Sequence, residues 1–99
     1  MSDIIRRRVV VSGMVQGVFF RAYARDAARG LGVKGWVRNL PNGNVEAVVE
    51  GTPERVQAMV AWFRTGSPMS RVDEVKVHEE PSTGEFTDFE VTFSRGRYW

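Results

Sequence analysis

Hydrophobic and polar positions along the chain follow two different periods, and each change of period marks a new element. Around residues 9–11 the odd positions are apolar and the flanking even ones polar, up to Gly13, which predicts a strand with one wet face. From Phe20 the apolar positions recur every three or four residues, which predicts an amphipathic helix that stops near Gly30 or Gly32. The predicted buried stripe of this helix is Phe20, Tyr23, Ala24, Ala27 and Leu31.

The middle of the chain predicts a hairpin followed by a second helix. Residues 33–39 and 45–51 flank a turn in which Asn42-Gly43 accepts the positive φ angles of a tight reversal. Residues 52–54, Thr-Pro-Glu, are typical of a helix start, with a capping hydroxyl, a proline in the first turn and an acid near the positive end of the helix dipole. The buried stripe predicted for this second helix is Val56, Met59, Val60 and Phe63.

Two further strands are predicted after a break at residues 66–68. Their alternating apolar positions are Val75 and Val77 in the first and Phe89, Val91 and Phe93 in the second, with a loop at residues 81–84 between them. The order β-α-β-β-α-β with an extra short C-terminal strand is typical of an α+β, ferredoxin-like sandwich, in which two helices cover one face of an antiparallel sheet. We expect residues 1–99 to form a single domain of this kind. Because the fold hosts many unrelated functions, it does not itself indicate one.

Composition narrows the class of protein. With 99 residues, 42% hydrophobic and 26% charged, the chain has the usage of a compact globular domain. It has no cysteine, which excludes disulfides, thiolate nucleophiles and cysteine metal sites. Its one histidine, His78, would lack the other members of a metal site or a Ser-His-Asp triad. With no apolar run of about 18 residues and no secretory signal, we expect a cytoplasmic protein without a membrane partner.

The charge pattern leaves one alternative open. Three consecutive arginines, Arg6 to Arg8, would suit a basic face for nucleic acid, although the formal net charge is only +2. Acids such as Glu46, Glu50, Glu54, Glu79 and Glu80 balance them, which favours a solvated surface and no nucleic-acid partner. A nucleic-acid or ligand-binding module on the same fold remains the main alternative, and salt-dependent RNA binding would support it.

The segment between the first strand and the first helix carries the candidate chemistry. Residues 13–21 contain two glycines and lead into a helix N-terminus, where converging N–H groups and the helix dipole favour an anion. Arg21 can pair bidentately with two phosphoryl oxygens, which lysine cannot do. No Gly-Lys-Ser/Thr follows, so the segment is not a P-loop. These residue types also fit a plain structural turn with a surface arginine.

A family resemblance sharpens this interpretation. Residues 13–21, GMVQGVFFR, resemble the acylphosphatase signature G-x-V-Q-G-V-x-[FM]-R at every fixed position, and residues 35–51, GWVRNLPNGNVEAVVEG, resemble the second signature of that family. The similarity continues through residues 66–68, residues 70–73 and Arg97-Tyr98. It implies a hydrolase without cofactor that cleaves acyl phosphates to a carboxylate and inorganic phosphate. Inorganic phosphate would also be a competitive inhibitor, and we expect a monomer.

The resemblance also implies residue roles. Arg21 would bind the phosphate and Asn39 would orient the attacking water, while the substrate's own phosphate would take the proton. The implied phosphate-binding residues are Val15, Gln16, Gly17, Val18, Phe19, Phe20 and Arg21. Because the leaving group is a carboxylate, the chemistry needs no strong general acid, and a single amide side chain suffices to orient the water.

Some features leave alternatives open. Asn39 precedes Leu40-Pro41, so by residue type alone it also fits a turn residue that satisfies its own backbone. The Phe19-Phe20 pair is bulkier than in some relatives, and Trp99 extends past the usual Tyr ending. Acylphosphatase-like domains also occur within larger carbamoyl-transfer proteins, but the span of this sequence leads us to expect the free enzyme.

Overall fold

The computed structural model of the protein describes residues 4–93. The elements are β1 (Ile5–Met14), α1 (Phe20–Leu31), β2 (Lys34–Asn39), β3 (Val45–Gly51), α2 (Pro53–Thr65), β4 (Arg71–Glu80) and β5 (Phe89–Val91). This order confirms the predicted β-α-β-β-α-β sandwich with a short extra strand. Arg97-Tyr98 and Trp99, which carried part of the resemblance, lie outside the described residues. Neither helix in the described part of the chain is long and apolar enough to cross a bilayer.

The five strands form one sheet in the order β4-β1-β3-β2-β5. All neighbouring pairs are antiparallel except β2 and β5, which are parallel, so the expectation of a purely antiparallel sheet is wrong at this edge. The reason is the path of the chain. β5 runs opposite to β4 because the intervening loop reverses the chain, and three successive antiparallel pairings also make β2 run opposite to β4.

Both helices pack over one face of the sheet, where the buried side chains form a single apolar cluster. In this cluster Phe20 stacks on Phe63 with ring centroids 6.1 Å apart. Burying a ring of this size stabilises the fold by about 1.5–3 kcal/mol. The predicted stripe of α1 is wrong at Tyr23, which is 46% exposed, whereas Ala28 is fully buried. The stripe follows steps of four residues from Phe20 through Ala24, which turns Tyr23 towards the flank of the helix.

The opposite face of the sheet is polar, but a loop covers part of it. Glu50 on β3 is only 4% exposed and pairs with the Arg6 guanidinium on β1 at 3.0 Å. Its carboxylate also accepts hydrogen bonds from the backbone N–H groups of Thr83 at 3.0 Å and Gly84 at 3.1 Å. The loop after β4 is therefore held across the sheet by a buried carboxylate, whereas the sequence analysis counted Glu50 among the acids of a solvated surface.

The other two arginines of β1 are also paired. Arg8 lies between Glu46 and Glu80, with an N···O distance of 3.2 Å to each carboxylate. Arg7 lies 3.8 Å from Glu79. The three consecutive arginines thus have carboxylate partners on the neighbouring strands, which weakens the interpretation of β1 as a basic face for nucleic acid.

Candidate active site

The loop that leads to α1 is shorter than the sequence predicted. Gly13 and Met14 belong to β1, and α1 begins at Phe20, so residues 15–19 form the connection. Gly13 has φ 125° at a shift of register between β1 and β4, and a Cβ there would collide with the backbone carbonyl of Arg71. The first glycine of the motif is therefore required by strand packing, and it lies outside the connecting loop of residues 15–19.

The backbone of the loop alternates in handedness. Gly17 has φ 76° and Phe19 has φ 58°, while Val18 between them does not have a positive φ. Such alternation is typical of backbone nests, in which successive N–H groups converge on an anion. Within residues 4–93, no protein acceptor pairs with the N–H groups of residues 16–19. No side chain caps the N-terminus of α1, so the positive end of the helix dipole is also uncapped next to this loop.

A cavity of about 500 Å³ opens beside this loop. It is lined by Val15, Gly17, Phe19, Phe20, Arg21, Ala22, Arg25, Asn39, Val91 and Phe93. The structure thus brings the predicted site residues to one cavity, with the exception of Gln16 and Val18, which do not line it. Asn39 reaches the cavity because β1 and β2 run in the same direction on either side of β3, so that both end at the same end of the sheet.

Arg21 lies half-buried in the first turn of α1. Its Nη1 donates to the backbone carbonyl of Thr92 at 3.4 Å, and its guanidinium lies 5.7 Å from the centroid of the Phe93 ring. No carboxylate among the described residues pairs with Arg21, unlike the arginines of β1. Most of its donors, and its charge, therefore remain available to an anion in the cavity.

Asn39 ends β2, and its Oδ1 is buried without a hydrogen-bond partner among the described residues. An unpaired buried acceptor costs about 1–3 kcal/mol, so a side chain in this state points to a ligand or a water. The turn that follows is closed by another residue, since the backbone N–H of Asn44 donates to Oδ1 of Asn42 at 3.0 Å. Asn42, rather than Asn39, is thus the turn residue that satisfies the local backbone.

Comparison with known proteins identifies the family. The sequence model of the family described as acylphosphatase matches residues 7–91. The chain belongs to the acylphosphatase family. The acylphosphatase of Syntrophobacter fumaroxidans is 60% identical over 93 residues, which are 94% of this chain and 96% of that protein. The acylphosphatase of Anaeromyxobacter dehalogenans is 54% identical over 94% of this chain and 100% of its own length.

Solved structures agree with this assignment. An acylphosphatase structure from Coxiella burnetii superposes with a TM-score of 0.85 at 37% identity, covering 91% of this chain and 94% of that one. The chain is thus an enzyme of the hydrolase class with the acylphosphatase fold. The family match spans the loop, Arg21 and Asn39, whereas Phe93 lies beyond it. Within residues 4–93, no group of three or more His, Asp or Glu side chains is placed to hold a metal ion.

Gln16 has a contact in this acylphosphatase that the sequence did not reveal. Its side-chain Nε2 donates to the backbone carbonyls of Leu40 at 2.8 Å and Asn44 at 2.7 Å. The side chain therefore ties the loop to the turn that follows Asn39, and it fixes the two halves of the cavity relative to each other. The one signal in the sequence was an amide residue at a fixed position of an otherwise apolar and glycine-rich motif.

Replacing Gln16 tests this tie. Gln16→Met keeps the length of the side chain but removes both hydrogen bonds, so we expect the free energy of unfolding to fall by about 1–3 kcal/mol. Urea denaturation followed by fluorescence measures the change. Gln57→Met on α2, where Gln57 is exposed, is the matched control and should change stability by less than about 0.5 kcal/mol. Equal effects of the two substitutions would show that the contacts of Gln16 do not stabilise the fold.

Proposed function

We propose that the chain hydrolyses acyl phosphates to a carboxylate and inorganic phosphate, with Arg21 and the backbone of residues 15–19 holding the phosphoryl group and Asn39 orienting the attacking water. One observation carries this proposal. Among residues 4–93, an arginine without a carboxylate partner and a buried amide oxygen without any partner line the same cavity, beside a loop whose N–H groups have no acceptor in that range. Without a ligand, the buried oxygen of Asn39 lacks a hydrogen bond, and most donors of Arg21 and of the loop are not used by the described residues. A bound anion together with a water would supply hydrogen-bond partners for all of these groups.

The phosphoryl group would be held by charge and by directed donors. The Arg21 guanidinium can bind two equatorial oxygens at once, and the N–H groups of the loop can donate to the others. Charge on these oxygens persists through the transition state of phosphoryl transfer, so fixed donors around them lower its energy. Since arginine and backbone dipoles supply this stabilisation, the proposed reaction needs no metal ion.

Asn39 would act by orientation rather than by proton transfer. Its Oδ1 can accept a hydrogen bond from a water and hold the water oxygen in line with the phosphorus. The new bond forms between the water oxygen and phosphorus, and the bond between phosphorus and the acyl oxygen breaks. The carboxylate leaves without protonation because it is a weak base, and an oxygen of the transferred phosphate takes the proton of the water.

Turnover of benzoyl phosphate in the presence of EDTA tests the proposal. We expect hydrolysis to continue unchanged in EDTA and to be inhibited competitively by inorganic phosphate. Phenyl phosphate is the control substrate, and we expect it to remain intact because its phenoxide leaving group is much more basic than a carboxylate. No turnover of benzoyl phosphate, or turnover only after a divalent metal is added, would overturn the proposal.

The remaining expectations from the sequence stay predictions. These are a single domain over residues 1–99, a monomer, a cytoplasmic location and no nucleic-acid partner. The carboxylate partners of Arg6, Arg7 and Arg8 support the last of them, because paired guanidinium groups are less available to phosphates.

A further inference from the structure

Two large aromatic rings are exposed at the cavity. Phe19 is 78% exposed and Phe93 is 71% exposed, and both line the same cavity as Arg21. Exposed apolar groups that gather at a cavity are a common mark of a ligand-binding surface. The cavity volume of about 500 Å³ lies in the range of sites that hold a whole small molecule. There is therefore room beyond the phosphoryl group for the rest of a substrate.

The backbone conformation of Phe19 is unfavourable for a bulky side chain, and a contribution to folding does not explain why a phenylalanine stands there. Phe19 adopts φ 58° and ψ 23°, a left-handed conformation that is rare for a bulky residue, and it is the one non-glycine residue with positive φ between residues 4 and 93. Glycine or asparagine would adopt this conformation at lower cost. Packing of the ring in the core does not offset this strain, because most of the ring is exposed to solvent. Strain of this kind is typical of functional positions.

We propose that Phe19 and Phe93 form a subsite for an apolar acyl group, aryl or bulky alkyl, of the substrate whose phosphoryl group lies on Arg21. This subsite rests on the proposed function. The Phe93 ring already lies 5.7 Å from the Arg21 guanidinium, so a group attached to the bound phosphoryl would meet aromatic surface within a few ångströms. Val91 lines the same cavity and adds a further apolar side chain. Contact with aromatic rings removes an aryl group from water with favourable ring geometry.

The presence of Arg25 at the cavity suggests an alternative, in which the acyl group carries a negative charge of its own. It lines the cavity one helical turn beyond Arg21, but its Nε already pairs with the Asp26 carboxylate at 3.2 Å. The Phe93 ring meets the Arg21 guanidinium at 5.7 Å, but both Phe93 and Phe19 remain mostly exposed to solvent, and an exposed ring is solvated at a cost. The balance of contacts therefore favours an apolar acyl group.

The ratio of kcat/KM for benzoyl phosphate to kcat/KM for acetyl phosphate measures the subsite. In Phe19→Asn we expect this ratio to fall roughly three- to tenfold, since asparagine tolerates positive φ but offers no ring. A second variant, Phe93→Leu, should lower the ratio in the same direction and does not depend on the loop conformation. Met69→Ala is the matched control, because Met69 is an exposed apolar residue that does not line the cavity, and it should leave the ratio unchanged.

The outcomes of this experiment separate the two proposals. If the unmodified enzyme hydrolyses neither substrate, the proposed function fails and the subsite fails with it. If it hydrolyses both, but Phe19→Asn and Phe93→Leu lower the two values of kcat/KM by the same factor, the rings do not contact the acyl group and the subsite alone is overturned. A preference for 4-carboxybenzoyl phosphate over 4-methylbenzoyl phosphate that disappears in Arg25→Gln would also overturn it, in favour of a charged acyl group.

Discussion

Replacing Arg21 with glutamine is expected to abolish measurable binding of inorganic phosphate and to lower kcat/KM for benzoyl phosphate by a factor on the order of 10³ or more. Glutamine keeps a polar side chain, but it is shorter than arginine and lacks the charge and the planar fork of donors. The described contacts of the arginine are one 3.4 Å hydrogen bond to a backbone carbonyl and the ring of Phe93, so we expect the fold to survive the substitution. Inhibition of turnover by phosphate and calorimetric titration with phosphate measure the two effects.

A second arginine on the same helix provides the control. Arg25 lines the cavity and carries the same charge, but its Nε pairs with the Asp26 carboxylate at 3.2 Å in an exposed position. Arg25→Gln should therefore lower kcat/KM for benzoyl phosphate by less than about tenfold, as expected for a screened charge near the surface. If both substitutions removed phosphate binding to the same degree, general positive charge rather than a directed contact from Arg21 would hold the anion.

The sequence predicted the elements well because the period of apolar residues is a local property. The direction of β5 could not be predicted in this way, because it depends on the edge of the sheet at which the returning chain pairs. The burial of Glu50 has a similar cause. The balance of charges in the sequence favoured a solvated position for Glu50, and the loop with Thr83 and Gly84 covers it from a distant part of the chain. Tertiary contacts decided both features.

The sequence named candidate site residues, most of which line one cavity, but it did not predict the geometry that brings them there. The motif singled out Arg21 and Asn39 as candidates, and the topology explains why both line that cavity, since Val45 on β3 pairs with Val11 on one side and with Asn39 on the other. The sequence did not show why each of the two glycines in the motif is needed. Gly13 avoids a collision with a neighbouring strand. A side chain at Gly17 would meet no atom within 4 Å of its Cβ, so glycine is needed there for its positive φ alone.

Asn39→Ala is expected to separate catalysis from binding. Alanine cannot orient a water, so kcat for benzoyl phosphate should fall by a factor on the order of 10² or more, as for other lost transition-state contacts. The inhibition constant of inorganic phosphate should stay within a few-fold, because Arg21 and the loop would still hold the anion. The melting temperature should not fall and is expected to rise slightly, since the substitution removes a buried oxygen that has no partner among the described residues.

Asn42→Ala is expected to give the opposite pattern. Asn42 makes the local turn bond to the N–H of Asn44, so its loss should lower the free energy of unfolding by about 1 kcal/mol and leave kcat nearly unchanged. If Asn39 were instead a turn residue, Asn39→Ala would destabilise the fold and spare kcat. If Asn39→Ala and Arg21→Gln weakened phosphate binding equally, the division between a residue that holds phosphate and a residue that orients water would be wrong. Measuring kcat, phosphate inhibition and thermal unfolding on the same variants distinguishes these cases.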